Sequence, residues 1–143
     1  MRMIFVWLGL LAASVAVNAQ TLTSPDGNLK MQFHLSDEGK PVYSLMYKEK
    51  EVINESKMGF QISPSIAFDR NFSVVETKID SCNTVWNTVW GQNNEISDHH
   101  KELWVALKQE KSGRLLNIRF RLFNDGLGFG YEFPVQSNLR HFT

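Results

Sequence analysis

Cysteine and net charge are what this sequence most clearly lacks. Cys82 is the only cysteine among 143 residues, and 15 lysine and arginine residues balance 15 aspartate and glutamate residues. A single cysteine excludes an intrachain disulfide, so the fold must be stabilised by packing. Because Cys82 stands among polar residues with no activating partner beside it in the sequence, an incidental free thiol near a loop is favoured over a catalytic one. Zero net charge offers no basic field for phosphates, which argues against nucleic-acid binding.

Long hydrophobic runs are absent except at the N-terminus. Residues 3–17 are almost entirely apolar, follow the basic residue Arg2 and lead to the small residue Ala19. About fifteen apolar residues are too few for a comfortable membrane span, and no basic stop-transfer cluster follows. We therefore predict a signal peptide over residues 1–19, cleaved after Ala19, and a secreted or periplasmic protein with no membrane attachment after cleavage. An uncleaved anchor is the alternative.

Helical periodicity is also missing beyond residue 19, where the hydrophobic pattern has a period of two. Leu29, Met31 and Phe33 alternate with polar residues, as expected of a strand with one buried face. Segments of this kind occupy residues 29–35, 41–47, 52–53, 58–62, 72–79, 103–107, 116–122 and 127–133. Turn sequences separate them, among them residues 24–28, 37–40 and 124–126. The pattern predicts an all-β fold for residues 20–143, either an antiparallel β-sandwich or a barrel.

Metal-ligating residues are few. His99 and His100, between acidic residues, form the obvious cluster. A metal site needs three or four converging ligands, and adjacent residues on a strand point to opposite faces. A polar loop leading into the next strand is therefore favoured, and we assign no metal ligand. His34 and His141 are isolated and are interpreted as surface residues.

Sugar hydrolysis would require a pair of carboxylic acids. The acidic candidates are Glu95, Asp98, Glu102, Asp125 and Glu132, and a single sequence does not pair them. Asp125 belongs to a turn in which aspartate is favoured for its effect on the backbone. We assign no catalytic residue.

Three tryptophans are candidates for contact with carbohydrate: Trp86, Trp90 and Trp104. Trp86 and Trp90 have asparagine and threonine between them, and a flat aromatic face beside such groups suits stacking on a sugar ring. Because tryptophan is usually mostly buried, packing of Trp86 and Trp90 in the sandwich or against a partner domain is favoured over sugar contact.

Three glycines, Gly126, Gly128 and Gly130, lie at alternate positions of the last apolar segment. No helix follows them, so a dinucleotide-binding loop is excluded by its context. We interpret them as small residues on one strand face that let a neighbouring segment approach closely.

Residues 116–134 carry the most distinctive motif. Their C-terminal part, RLFNDGLGFGYEFP, resembles the R-x-F-N-D-G-x-G-F-x-Y-x-x-P stretch in the N-terminal domain of glycoside hydrolase family 97, secreted α-glucosidases and α-galactosidases typical of gut Bacteroidetes. Residues 24–28, 89–91 and 101–103 support the resemblance by their order. Gly130 departs from it, since the family commonly carries arginine there, a loss expected to weaken a local salt bridge or hydrogen bond. The matching residues, interpreted as structural, are Asn124, Asp125, Gly126, Gly128, Phe129, Tyr131 and Pro134.

The resemblance implies an incomplete β-super-sandwich similar to galactose mutarotase, followed in the family by a catalytic (β/α)₈ barrel. It implies that the full-length enzyme acts on α-linked oligosaccharides and uses calcium near its active site, with neither catalytic residues nor calcium ligands on this chain. We therefore expect residues 20–143 to be inactive without the missing barrel domain. We also expect them to be only marginally stable, because an incomplete sandwich lacks the partner strands that would cover Phe120 and Phe129. The alternative is a stand-alone exported carbohydrate-binding module.

Overall fold

The computed structural model describes residues 19–63, 66–90 and 95–139. Within these ranges the chain forms β-strands and turns and no helix, and hence no helix long and apolar enough to cross a membrane. The strands are β1 (Gln20–Thr23), β2 (Leu29–Leu35), β3 (Pro41–Tyr47), β4 (Lys50–Lys57), β5 (Phe60–Ser63), β6 (Ile66–Phe68), β7 (Phe72–Asn87), β8 (Glu95–Gln109), β9 (Leu115–Leu122) and β10 (Leu127–Glu132).

Two four-stranded antiparallel sheets make up most of the fold. One has the order β1-β2-β3-β4, the other β10-β9-β8-β7, and β5 and β6 form a separate two-stranded hairpin. Neighbouring strands in each sheet are consecutive along the chain and antiparallel, so short turns can join them. The predicted all-β antiparallel sandwich is confirmed, and the barrel alternative is wrong.

The core lies between the two sheets. Phe33 of β2 and Phe120 of β9 meet across it with ring centroids 5.5 Å apart. Alternate residues of β8 and β9 face inward as the period of two predicts, and burial of each stabilises the fold by about 1.5–3 kcal/mol. The fully buried inward residues of these two strands are Leu103, Val105, Leu107, Leu116, Ile118, Phe120 and Leu122.

Two turns connect distant parts of the sandwich. At the predicted turn before β2, the backbone N–H of Asp26 donates to Oδ1 of Asn124 over 3.0 Å, which joins two segments of the family motif. At the β2–β3 turn, Gly39 has a φ of 64°, and its carbonyl accepts from the N–H of Phe72 at 3.0 Å. A Cβ on Gly39 would lie 2.7 Å from backbone atoms of Phe72, so glycine is required for this close approach.

The longest hairpin differs from its prediction. β7 continues to Asn87 rather than ending near Ile79, and β8 already begins at Glu95. The two strands pair along their whole length, from Phe72 opposite Gln109 to Asn87 opposite Glu95. The predicted loops around Cys82 and His100 are therefore wrong. Backbone pairing extends these strands beyond the apolar alternation. Most residues of the extension are polar, and its apolar residues Val85, Trp86 and Ile96 are exposed.

β9 pairs with β8 only as far as Lys101, which lies opposite Leu122. Residues 82–87 and 95–100 consequently pair only with each other in the described part of the chain and continue past the four-stranded sheet as a two-stranded ribbon. We call these two segments the arm.

β10 forms an edge of its sheet and is less buried than its alternating sequence predicts. Phe129 is 47% exposed, and the strand ends at Glu132 rather than at Phe133. Within the described residues nothing lies within 4 Å of a Cβ built on Gly126, Gly128 or Gly130. The close approach predicted at these glycines is therefore not made by any described segment.

Candidate functional site

The outward face of the β7–β10 sheet carries a connected set of charged side chains. Arg119 of β9 donates from Nε to Oε1 of Glu132 at 2.5 Å and from Nη1 to Glu102. Arg121 donates from Nε to Oε2 of Glu102 over 3.0 Å. The register places these residues side by side, since Arg121 lies opposite Glu102 and Gly128, and Arg119 lies opposite Gly130. Because the glycines have no side chains, a recess of about 410 Å³ opens beside the arginines.

Hydrogen bonds within the charge network shift the pKa values of Glu132 and Arg119. The hydrogen bond from Arg119 is the main cause that holds the pKa of Glu132 below its ordinary value, and Trp104 adds to it. The same bond raises the pKa of Arg119 above its ordinary value. An acid catalyst in sugar hydrolysis needs a raised carboxyl pKa, whereas the pKa of Glu132 is lowered. The network can bind or orient a polar group.

The three candidate tryptophans lie in two different environments. Trp104 is half-buried on the outward face, where its Nε1 donates to Oε2 of Glu132 at 3.0 Å. Nζ of Lys78 lies 5.0 Å from its ring centroid, so both the edge and one face of this indole are occupied. Trp86 lies on the arm and is 53% exposed, and Trp90, just beyond β7, is 91% exposed. Neither packs in the sandwich, whereas packing against a partner domain stays a prediction.

The family-motif residues make structural contacts. Asn124 accepts from the first turn as described above, and the carbonyl of Gly126 accepts from the N–H of Phe123 at 2.8 Å to close the β9–β10 hairpin. Phe129 packs against Tyr43 with centroids 5.7 Å apart. Tyr131 accepts at its hydroxyl from the N–H of Gly59 over 3.1 Å. Asp125 lies exposed in the turn, and Pro134 follows the end of β10.

One cluster of potential metal ligands was not predicted from the sequence: Cys82, Asp98 and His100. The Cα register places Cys82 opposite His100, and Asp98 lies two residues before His100 on the same face of β8. Nδ1 of His100 lies 2.5 Å from Oδ1 of Asp98. His99 is exposed on the opposite face, as strand geometry requires. Strand geometry puts Asp98 and His100 on one face, but no local signal in the sequence places Cys82 beside them, because that pairing depends on the β7–β8 register.

His34 belongs to the other sheet, which consists of β1 to β4. His34 is half-buried on β2 with Nε2 3.6 Å from Oε1 of Glu55, so it has a partner rather than being isolated. His141 lies outside the described residues.

Calcium, which the family resemblance implies for the full-length enzyme, does not fit the described residues. Ca²⁺ takes six to eight oxygen ligands. Among the described residues, the grouping with three potential ligands offers one carboxylate beside a thiol and an imidazole. Glu102 and Glu132 direct their oxygens at arginines.

Comparison with known proteins gives the same picture as the motif. The family model of the glycosyl-hydrolase 97 N-terminal domain matches residues 22–143. This chain belongs to glycoside hydrolase family 97. It is 23% identical over 111 residues to a retaining α-galactosidase of Bacteroides thetaiotaomicron, a match that covers 78% of this chain and 16% of the relative.

Solved structures of family 97 enzymes share the sandwich. A family 97 enzyme from Pseudoalteromonas sp. strain K8, solved in complex with panose and in complex with acarbose, is 35% identical with a TM-score of 0.77, over 84% of this chain and 18% of that one. A β-arabinopyranosidase is 24% identical with a TM-score of 0.74, over 82% and 18% of the two chains, and shows the fold alone. The chain thus spans less than a fifth of the length of these relatives.

Proposed function

We propose that this chain acts as the noncatalytic N-terminal β-sandwich of a secreted α-glycosidase, which hydrolyses terminal α-glucosyl or α-galactosyl bonds through a separate barrel domain. The match to the family 97 N-terminal domain over residues 22–143 carries the proposal. The relatives support the substrate class, since one is a retaining α-galactosidase and another was solved with panose and with acarbose.

The charge network supports a noncatalytic role. Retaining and inverting glycosidases both need two carboxyl groups that flank the scissile bond, one of them protonated at working pH. Glu102 and Glu132 lie on the outward face but share Arg119 as a partner. The contact with Arg119 holds the pKa of Glu132 below its ordinary value, so loss of that contact would be needed before Glu132 could serve as an acid.

Hydrolysis of p-nitrophenyl α-glucoside and α-galactoside by the purified chain tests this role. We expect no release of nitrophenol above the buffer rate, and the same result for Glu132→Gln and for Glu110→Gln, an exposed control after β8. Hydrolysis that disappears in Glu132→Gln but persists in Glu110→Gln would show that the chain is catalytic and that the proposal is wrong.

Export from the cytoplasm is part of the same proposal. The composition of residues 1–19 supports it, and Gln20 already begins β1, in which Leu22 is buried. Cleavage after Ala19 therefore leaves the sandwich intact. We expect the intact mass of the protein recovered from a periplasmic fraction to correspond to a chain that starts at Gln20. An uncleaved mass in the membrane fraction would favour an anchor instead.

Glycan contact through the arm is a second candidate function. The observation that favours it is the exposure of Trp86 and Trp90, because exposed indoles are unusual and stack well on sugar rings. Titration with panose, followed by calorimetry, tests it. We expect binding no weaker than about 1 mM, reduced at least fivefold in Trp86→Ala and Trp90→Ala and little changed in Trp104→Phe. No binding, or equal loss in all three variants, would reject glycan contact by these two side chains.

A further inference from the structure

We propose that Cys82, Asp98 and His100 bind a zinc ion on the outward face of the β7–β8 hairpin. Their thiol, carboxylate and imidazole ligand atoms all lie within 4.8 Å of one another. The arrangement is separate from the glycosidase function and from the family's calcium, because it offers one thiol, one imidazole and one carboxylate rather than six to eight oxygen ligands.

The backbone brings the three ligands together. Cys82 and His100 are direct Cα partners in the β7–β8 ladder, so their side chains leave the sheet side by side on one face. Asp98 is two residues from His100, and a strand places such residues on the same face. Hairpin register alone sets this grouping, and no loop movement is needed to assemble it.

His100 is held in place as a metal ligand usually is. It is only 4% exposed, its ring lies 5.0 Å from that of Phe123, and Asp98 contacts its Nδ1. Burial against Phe123 fixes the orientation of the imidazole, and the ion would take the place of the proton between Nδ1 of His100 and Asp98. Cys82 is partly exposed, which leaves a path by which an ion enters.

The ligand set favours zinc among common divalent ions. Zinc binds thiolate, imidazole and carboxylate in tetrahedral geometry at about 2.0–2.3 Å, which separates ligand atoms by about 3.3–3.7 Å. Small side-chain rotations would bring atoms now within 4.8 Å to these separations. Three protein ligands leave a fourth position for water or a small ligand from the adjoining recess of about 250 Å³. Binding converts the Cys82 thiol to a thiolate and releases its proton to solvent.

Nearby charges do not oppose a cation. Arg119 and Arg121 line the same recess, but both donate to Glu102, and Arg119 also donates to Glu132. Asp80 adds a further negative group at the rim of the recess. Cation binding therefore takes place beside arginines whose charge is already compensated.

Cobalt(II) is a suitable probe because it replaces zinc and reports thiolate ligation by absorption. Titration of the purified full chain is expected to give one equivalent of bound Co²⁺ with a thiolate-to-cobalt charge-transfer band and tetrahedral visible bands. Added Zn²⁺ should displace the cobalt and protect Cys82 from iodoacetamide, a clean readout because the chain has no other cysteine.

The variants include a matched control on the same strand. Cys82→Ser and Asp98→Asn change partly exposed side chains, and His100→Gln removes the buried imidazole, with circular dichroism used to verify folding. We expect each to weaken Zn²⁺ at least about tenfold, and His99→Gln, on the opposite face, to leave affinity within twofold. Absence of the charge-transfer band, its survival in Cys82→Ser, or equal weakening by His99→Gln would overturn the site.

Discussion

Phe120 and Phe129 offer a matched test of where the core ends. The register aligns Phe120 with Leu103 on one side and with Phe129 on the other, so both rings lie in one row of the sheet. Phe120 is fully buried, whereas Phe129 is 47% exposed. Truncation of a buried phenylalanine to alanine costs about 3–5 kcal/mol. The half-exposed ring loses about half the burial, which corresponds to about 1–2 kcal/mol.

Urea unfolding followed by circular dichroism measures both variants under the same conditions. We expect Phe120→Ala to lower the free energy of unfolding by at least twice as much as Phe129→Ala. If Phe120→Ala leaves too little folded protein, Phe120→Leu provides the comparison at about 1–2 kcal/mol. A larger loss for Phe129→Ala than for Phe120→Ala would refute the placement of the core between the sheets, because the same side chain is removed in both.

Three further predictions concern a turn and the charge network. Gly39→Ala should lower the free energy of unfolding in urea by about 2–4 kcal/mol, since its Cβ would meet Phe72 at a positive φ. Gly27→Ala, at a positive φ with open space, is the control and should lower it by about 1 kcal/mol. Equal losses would contradict the close approach of Gly39 to Phe72. Arg119→Ala should lower the free energy of unfolding at pH 7 by about 1–2 kcal/mol after solvent screening, and Arg119→Lys should lower it less. No loss in Arg119→Ala would show that water satisfies the carboxylate partners of Arg119. Because the pKa of Glu132 is lowered in the folded state, its contribution is present above about pH 4.3 and is lost as the pH falls further. A wild-type advantage over Arg119→Ala that persists unchanged at low pH would contradict that assignment.

The strands that carry apolar alternation could be predicted because that pattern is local, whereas the short strands β1 and β6 were not predicted. Inward residues such as Leu103 and Phe120 recur every second position, and the strand period converts that spacing directly into one buried face. Turns could be predicted for the same reason, since Gly39 and the residues around it favour backbone angles that end a strand. The motif at residues 116–134 likewise indicated the family before any contact was known.

The arm could not be predicted in this way. Its residues have no apolar alternation because little of the sandwich covers them, and only backbone pairing with the opposite strand makes them β. The polar composition around Cys82 and His100 therefore indicated loops where the chain forms strands. The exposure of Trp86 and Trp90 was not expected either, because tryptophan is usually mostly buried.

The sequence by itself determined the strands whose apolar residues recur every second position, the buried face of those strands, and the family to which the chain belongs, because all three depend on residues close together along the chain. Only the tertiary structure decided which side chains meet. Arg119 joins Glu102 to Glu132, and Cys82 lies beside His100, through sheet order and register. Register is set by the summed pairing of whole strands, so no local signal specifies a contact between residues so far apart.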